Sequence, residues 1–309
     1  MPQKKSEIRK AYFLNKYVII TPGRLKRPRD IEERTVVKRI GTCPFCPKNM
    51  KGEILDRIDS PSNKNDWQII SVHNIFPAVT LDNKKAYGTQ EVIIETPDHQ
   101  KDLGDLTVSQ IGKVLEMYTK RTKALAKNKE IDYILCLKNQ GSKAGASIVH
   151  AHSQIFATKL VPEDLKEEAR LVMEYKAKNK TCPYCDIVKK EKGSIRQIYN
   201  DKNIIAFTPY ASEFHYETWL FPKKHLDNIT ELDKNELKSF AVALKLILHK
   251  LDSINISFNL FLHNVISNQN QHFYIKVQPR DSVWAGIELG SGLVINSISP
   301  EAAAKFYKS

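Results

Sequence analysis

The chain has 309 residues, of which 41% are hydrophobic and 27% charged, and its formal net charge is +13. This composition excludes a disordered chain and allows one large domain or two ordinary ones with a proper apolar core. No apolar run approaches the roughly 18 to 20 residues that span a bilayer, and the Lys-rich start lacks an apolar signal-peptide core, so we expect a cytoplasmic protein without a membrane contact. The net charge favours anionic partners such as nucleotides, sugar phosphates or nucleic acid. The lysines are spread along the whole chain without a dense basic block, which favours a solvated, Lys-rich surface over a nucleic-acid footprint.

The first half of the chain predicts strands around one long helix. Short apolar runs at residues 67–72 and 131–137 are typical of strands. An amphipathic stretch over residues 107–126 predicts a helix between them.

A third apolar run, residues 147–157, contains His150, His152 and Gln154 at alternate positions. In a strand alternate side chains share a face, so the spacing predicts two imidazoles and a carboxamide side by side. One imidazole can bind a metal while its neighbour remains free as a nucleophile, and the amide can donate to an oxygen that gains charge. The alternative for this pattern taken alone is an ordinary strand with a polar outer face.

The second half begins with a charged segment, residues 162–178, which predicts a helix because Pro and two acidic residues mark its start. A further helix is predicted at residues 233–250, and strands at residues 203–208, 258–262 and 273–277. Strands and helices do not alternate regularly. The sequence therefore predicts an α+β fold with largely antiparallel sheets flanked by helices.

An internal repeat relates the two halves. Residues 90–99 recur as residues 216–225. Glu91 matches Glu217 and Leu106 matches Leu232, and the two pairs are separated by the same number of residues. Each copy is predicted to be a strand, a turn that ends in His, and an amphipathic helix. The repeat predicts an N-terminal half at residues 1–160, a helical linker at 161–180 and a C-terminal half at 181–309.

Each half also carries a Cys-x-x-Cys pair and two well-separated histidines. The first set is Cys43, Cys46, His99 and His150, and the second is Cys182, Cys185, His225 and His272. Two thiolates and two imidazoles suit tetrahedral zinc, and a closed shell of four ligands indicates a structural ion. A redox Cys-x-x-Cys motif is the alternative. Because the ligand order is duplicated, we predict two zinc ions per chain.

The run Asn139-Gln-Gly-Ser-Lys-Ala-Gly-Ala-Ser-Ile-Val-His-Ala-His-Ser-Gln154 resembles the active-site segment of galactose-1-phosphate uridylyltransferases, a branch of the histidine-triad superfamily. The similarity continues in order along nearly the whole chain, through residues 17–28, 43–47, 72–77, 91–99, 284–296 and 300–303. The resemblance implies two fused histidine-triad-like halves, of which only the first is catalytic.

The resemblance also assigns roles to individual residues. It implies that His152 is the nucleophile, that His150 is a zinc ligand and that Gln154 bonds the transferring phosphoryl group. It further implies that Arg24 and Arg27 contact phosphate and that Asn139, Gly145 and Ser147 line the phosphates. Asn74 would contact the nucleotide. Glu288 would contact the sugar hydroxyls. In the family the last contact is often made across a dimer interface, so a homodimer is expected.

The implied reaction exchanges a nucleoside monophosphate between a nucleotide sugar and a sugar 1-phosphate, as in UDP-glucose:hexose-1-phosphate uridylyltransferases, through a nucleotidyl-histidine at His152. Some residues depart from the family pattern. Ala151 and Ser153 replace the common Pro and Gly and resemble the related ADP-glucose phosphorylases, which transfer an adenylyl group to phosphate. Ile287 stands where an aromatic residue is frequent, and Tyr274 and Lys276 stand where some relatives carry His and Glu.

Two other functions are disfavoured by the sequence. Hydrolases of the same superfamily usually carry a third histidine where Gln154 stands. A non-catalytic zinc-containing RNA-binding protein would account for the positive charge and the Cys and His sets. However, the chain lacks runs of aromatic and basic residues, and this function leaves His152 unexplained.

Overall fold

Strands from both halves of the sequence join in one sheet of the computed structural model, which describes residues 6–26, 43–60, 62–63, 66–266 and 271–309. In chain order the strands are β1 (Glu7–Lys10), β2 (Tyr17–Ile20), β3 (Ile54–Asp59), β4 (Trp67–His73), β5 (Gly88–Ile94), β6 (Tyr133–Gln140), β7 (His152–Thr158), β8 (Gln197–Asn200), β9 (Ile204–Phe207), β10 (Thr218–Pro222), β11 (Phe258–His263), β12 (Tyr274–Pro279) and β13 (Val294–Asn296). The helices are α1 (Val108–Leu125), α2 (Glu163–Asn179), α3 (Pro183–Glu191), α4 (Lys234–Ser253), α5 (Gly286–Ser291) and α6 (Pro300–Lys308).

The large sheet has ten strands in the order β3-β4-β5-β7-β6-β11-β12-β10-β9-β8, and this order is symmetric about the β6–β11 pair. Counting outward from that seam, β6 corresponds to β11, β7 to β12 and β5 to β10. Across the seam Leu137 pairs with Phe261 and Asn139 with Asn259. All neighbouring strands of this sheet run antiparallel. The predicted α+β class with largely antiparallel sheets is therefore confirmed, and the two repeats share one continuous sheet.

Helices α1 and α4 pack against each other and cover one face of the sheet. Both begin with a capping box, in which Thr107 pairs with Gln110 and Asp233 pairs with Glu236. Apolar side chains from both helices and from the strands beneath them form one core, which includes Val114, Leu115, Ile134, Ile155, Leu244, Ile247 and Leu260. The duplicated helix signals in the sequence thus correspond to two equivalent helices that share a core.

The predicted helices at residues 107–126, 162–178 and 233–250 are confirmed as α1, α2 and α4. The predicted strand at 147–157 is shorter than expected, since β7 begins only at His152. Before it the chain forms a loop in which Gly141 and Gly145 have positive φ angles, and the His150 ring turns towards Cys43. None of the helices in the described part of the chain is long and apolar enough to cross a membrane.

One buried ion pair ties α1 to the sheet. Glu91 on β5 is 1% exposed, and both of its carboxylate oxygens accept from Arg121, from Nε at 2.8 Å and from Nη2 at 2.8 Å. Ser71 on β4 donates a further hydrogen bond to this carboxylate. The two parallel hydrogen bonds from the Arg121 guanidinium replace the water that the buried Glu91 carboxylate lacks.

Replacement of Arg121 by Met should therefore destabilise the fold, because it leaves the Glu91 carboxylate buried without its counter-charge. Loss of one partner of a buried pair typically costs about 3–5 kcal/mol. Urea denaturation should show this loss in the free energy of unfolding. The matched control is Arg170→Met on α2, where the ion pairs to Glu167 and Glu174 are exposed and little change is expected. Equal effects of the two substitutions would contradict the assignment.

Candidate active site and metal centres

The first Cys and His set converges at one end of the large sheet. The sulfur of Cys43 lies 3.6 Å from Nδ1 of His150, and that of Cys46 lies 3.5 Å from Nδ1 of His99 and 3.8 Å from Nδ1 of His150. All four ligand atoms lie within 4.8 Å of one another. Tetrahedral zinc bonds to sulfur and nitrogen place such atoms about 3.6 Å apart. The group therefore has the composition and spacing of a metal centre.

A backbone contact orients His150 within this group. Its Nε2 lies 2.7 Å from the carbonyl oxygen of Thr96, which can only accept, so Nε2 carries the hydrogen. The lone pair of Nδ1 then faces the cysteines, as a metal ligand requires. Burial lowers the pKa of His150, which keeps the ring neutral and able to bind a cation.

The second set brings three of its four predicted ligands together. Cys182, Cys185 and His225 offer ligand atoms within 4.8 Å of one another, and the Cys185 sulfur lies 3.3 Å from Nδ1 of His225. A hydrogen bond from the Cys185 thiol outweighs burial and, with backbone N–H groups at the start of α3, lowers the pKa of Cys182 to about 6. A thiolate at a helix N-terminus is a good metal ligand.

His272, the fourth predicted ligand of the second set, is fully buried beside this group but not within it. Its ring centroid lies 5.1 Å from that of His225, and its Nδ1 contacts the carbonyl oxygen of Phe273 at 3.0 Å. Its Nε2 is buried and has no hydrogen-bond partner among the described residues. A buried imidazole nitrogen without a partner is costly, and a metal ion bound to it would remove that cost.

His152, the first residue of β7, is held in a defined tautomer. Its Nδ1 lies 2.8 Å from the carbonyl oxygen of His150, so Nδ1 carries the hydrogen and Nε2 keeps its lone pair. The ring of Phe45 lies 5.1 Å away, and the His152 side chain is largely buried. Burial also lowers the pKa of His152. The result is a neutral imidazole whose Nε2 has no hydrogen-bond partner in the described part of the chain, which is the nucleophilic form.

A chain of amides fixes the direction of the Gln154 side chain. The N–H of Ala78 donates to Oε1 of Gln90 at 3.0 Å, and Nε2 of Gln90 donates to Oε1 of Gln154 at 3.0 Å. Because the Gln154 oxygen is occupied, its NH₂ group is the end left to donate to a ligand. Gln90 could not be assigned a role from local motifs, since only the pairing of β5 with β7 brings these two side chains together.

The amide of Asn139 is oriented in the same way from the other half of the chain. Nδ2 of Asn259 donates to Oδ1 of Asn139 at 2.8 Å and to the carbonyl oxygen of Ala144 at 2.9 Å. The NH₂ of Asn139 is again the end left for a ligand. Gly145 and Ser147, also predicted to line the phosphates, lie in the exposed loop that follows. Sequence reasoning missed Asn259 because no local motif marks it.

The remaining predicted residues lie on two other parts of the chain. Asn74 follows β4, where its backbone N–H donates to the carbonyl oxygen of Gln90. Glu288 on α5 accepts from the backbone N–H groups of Ala285 and Ile295; these bonds and the nearby charge of Arg24 lower its pKa despite burial. Arg27 lies outside the described residues. The structure therefore places Asn74 next to Gln90, which orients Gln154, and places Glu288 near Arg24.

Comparisons with known proteins agree with this geometry. The family model for the N-terminal domain of galactose-1-phosphate uridyl transferase matches residues 2–162, more than half of the chain. The ADP-glucose phosphorylase of Arabidopsis thaliana is 29% identical over 97% of this chain and 91% of its own. The galactose-1-phosphate uridylyltransferase of Thermotoga maritima is 26% identical over 97% of this chain and 96% of its own. The crystal structure of the Arabidopsis thaliana ADP-glucose phosphorylase with bound ADP-glucose, at 28% identity, matches with a TM-score of 0.86 and covers 99% of both chains.

Proposed function

The chain belongs to the galactose-1-phosphate uridylyltransferase family, and we propose that it transfers a nucleoside monophosphate between a nucleotide sugar and a sugar 1-phosphate by way of His152. The preferred reaction is uridylyl transfer from UDP-glucose to a hexose 1-phosphate. The observation that carries this proposal is the His152 ring, whose Nδ1–H is held by the carbonyl oxygen of His150 while Nε2 has no partner among the described residues; Gln154 lies two positions further along the same strand.

The proposed reaction has two steps at one site. Nε2 of His152 attacks the α-phosphorus, a P–N bond forms, and the P–O bond to the β-phosphate breaks and releases sugar 1-phosphate. The carbonyl oxygen of His150 then stabilises the positive charge that the ring gains. A phosphate oxygen of the acceptor attacks the same phosphorus and breaks the P–N bond, which restores the neutral imidazole. Such exchange gives ping-pong kinetics.

Amide NH₂ groups stabilise the charge that develops on the phosphoryl oxygens. Gln154 and Asn139 both have their oxygens occupied by a neighbouring amide, from Gln90 and Asn259 respectively. Donors that are oriented before the reaction need no reorganisation when charge develops, and they contribute strongly in a site that excludes water. Gln90 and Asn259 are thus positioning residues.

Adenylyl transfer from ADP-glucose to phosphate is the second candidate function. Its support is the similarity to ADP-glucose phosphorylase along nearly the whole chain, together with Ala151 and Ser153 around His152. The same nucleophile and amide donors serve either reaction. The base and the acceptor are what distinguish the two.

We further propose that a second copy of the chain completes the active site. Glu288 and Arg24 lie together near the small sheet of β1, β2 and β13, and large apolar side chains beside Glu288 are exposed, 50% for Ile287 and 75% for Leu289. Exposed large apolar side chains that lie next to polar groups are typical of a surface that another chain covers. A homodimer would bring the Glu288 carboxylate of one copy to the sugar bound by the other.

Zinc is the ion that we propose for both Cys and His groups. Cys43, Cys46, His99 and His150 would hold the first ion and fix the backbone carbonyl that supports His152. The second ion would be held by Cys182, Cys185, His225 and the partnerless nitrogen of His272. In both shells the ion would be structural, because four protein ligands leave no open position for substrate.

Elemental analysis should find two zinc ions per chain, and about one in Cys182→Ser with part of the activity retained. His150→Ala should lose the other ion and most of the activity, because without the ring the ion no longer fixes the backbone carbonyl that holds Nδ1 of His152. Removal of a structural ion leaves unpaired ligands, so each variant should also melt at a lower temperature. The matched control is His249→Ala, an exposed residue on α4 that should keep both ions. Full stability of metal-free wild-type protein would refute the proposal.

Intact-mass spectrometry should detect the covalent intermediate after the protein is mixed with UDP-glucose or, separately, ADP-glucose. The mass of the adduct identifies the nucleotide that is transferred. Galactose 1-phosphate or inorganic phosphate should then discharge the adduct, and whichever does so is the acceptor. His152→Ala should form no adduct and should keep its metal and its melting temperature. An adduct on His152→Ala, or no adduct with any nucleotide sugar, would exclude the proposed mechanism.

Gln90→Glu should reverse the Gln154 amide. A carboxylate at position 90 can still accept from Ala78, but it cannot donate to Gln154, so the Gln154 NH₂ turns towards it and presents oxygen to the phosphoryl group. We expect kcat to fall about 10²-fold, as for loss of one oriented donor, with KM less affected. The control is Gln68→Glu, where the new carboxylate still accepts from Lys113 and activity should be retained. Equal kcat values in the two variants would show that Gln90 does not act through Gln154.

A further inference from the structure

A cavity of about 290 Å³ lies between α2 and the strands β6, β11 and β12. Its walls are mainly apolar and aromatic, formed by Tyr133, Leu135, Val161, Leu165, Phe261 and Val265. A volume near 300 Å³ is at the lower end of the range for small-molecule sites. None of the residues assigned to nucleotidyl transfer lines it.

Several buried polar groups that line this cavity have no hydrogen-bond partner among the described residues. Gln271 is 2% exposed, and neither its Oε1 nor its Nε2 has a partner in the described part of the chain. Asn264, 5% exposed, uses its oxygen to accept from the N–H of Ile229, while its Nδ2 has no partner among the residues that the structure describes. Nδ1 of His263 is also unpaired within the described residues. Buried polar groups are nearly always satisfied, so this concentration around one cavity indicates a missing polar ligand.

Of the two acidic residues that line the cavity, Asp132 is exposed to solvent and Glu168 is neutralised by its neighbours. The Glu168 carboxylate lies 3.3 Å from Nε2 of His263 and accepts hydrogen bonds from the hydroxyls of Tyr184 and Tyr274. Burial alone would raise the pKa of Glu168, but the charges of His263 and Lys276 hold it well below its usual range. Lys276 also lines the cavity and lies 5.2 Å from the centre of the Tyr274 ring. A neutral or weakly anionic ligand therefore meets no net repulsion.

The symmetry of the sheet makes this cavity the counterpart of the catalytic site. Gln154 on β7 pairs with Leu137 on β6, and in the second half Lys276 on β12 pairs with Phe261 on β11. The same correspondence places Tyr274 at the position of His152. The cavity lies where β11 ends and β12 begins, just as Asn139 and His152 lie where β6 ends and β7 begins.

We propose that this cavity is a second, non-catalytic binding site for a nucleoside. A primary amide with both atoms free matches the adjacent donor and acceptor on the edge of a nucleobase, and Gln271 offers such a pair. The aromatic rings of Tyr133 and Phe261 provide apolar surface for a flat base. At about 290 Å³ the cavity holds a nucleoside but not a whole nucleotide sugar. The site goes beyond the proposed transfer reaction and does not require it.

Adenosine and uridine are suitable probes, because they lack the phosphates that the catalytic site would recognise. Calorimetric titration and saturation-transfer NMR should show that at least one of them binds the wild-type protein and remains bound when UDP-glucose or ADP-glucose is saturating. Gln271→Met, which keeps the length of the side chain but removes both polar atoms, should weaken binding about tenfold or more. Ala169→Phe, which fills the cavity from α2, should abolish binding.

Gln278→Met is the matched control, because Gln278 lies on β12 but does not line the cavity, and it should bind the nucleoside as the wild type does. Melting temperatures would show whether each variant is folded, and if one is not, the other still tests the site. The proposal is overturned if neither nucleoside binds at millimolar concentration, if nucleotide sugar displaces it fully, or if folded Gln271→Met and Ala169→Phe bind it normally. Nucleoside binding that depends on Gln271 in a protein without a His152 adduct would refute the transfer reaction and leave this site standing.

Discussion

The antiparallel pairing of β6 with β11 is the constraint on which the rest of the structure depends. It joins two five-stranded halves into one sheet, so that α1 and α4 share a single core on one face. Side chains alternate along each strand, so a shift of one residue at this seam would exchange the buried and the open faces of both strands. The observed register buries Cys136 and Lys138 and places Asn139 beside Asn259 on the other face. The second half thus orients Asn139, a residue of the first half.

A buried ion pair between Lys138 and Glu95 fixes the backbone where β7 begins. Lys138 is 1% exposed, and its Nζ donates to Oε2 of Glu95 at 2.8 Å and to the carbonyl oxygen of His152 at 3.1 Å. The backbone N–H of Glu95 also donates to the carbonyl oxygen of Ala151. These contacts fix the backbone on both sides of the point where β7 begins, and hence the carbonyl of His150 that holds the His152 ring. A buried pair of this kind is a weak source of stability, so its value here lies in geometry.

Much of this arrangement is predictable from local signals in the sequence. The capping residues Thr107 and Asp233 mark the helices, and the duplicated Cys-x-x-Cys pairs with their histidines indicate two groups that could hold a metal ion. Contacts that depend on the pairing of strands cannot be predicted from local sequence signals. The start of β7 after His150, the contact of Gln90 with Gln154, and the position of His272 outside its group all follow from neighbours distant in sequence.

The two halves share a fold but differ at the position of His152, where the second half has Tyr274 in a different environment. Burial and the adjacent Glu168 carboxylate raise the pKa of Tyr274 well above its usual range, so its hydroxyl stays protonated and donates to Glu168. A neutral phenol is a poor nucleophile, whereas the neutral imidazole of His152 carries a free lone pair at the equivalent position. Lys276, in place of Gln154, adds a positive charge that stabilises the carboxylate rather than an oriented amide donor. At the position equivalent to His152 the second half therefore carries a hydroxyl that stays protonated and is a poor nucleophile.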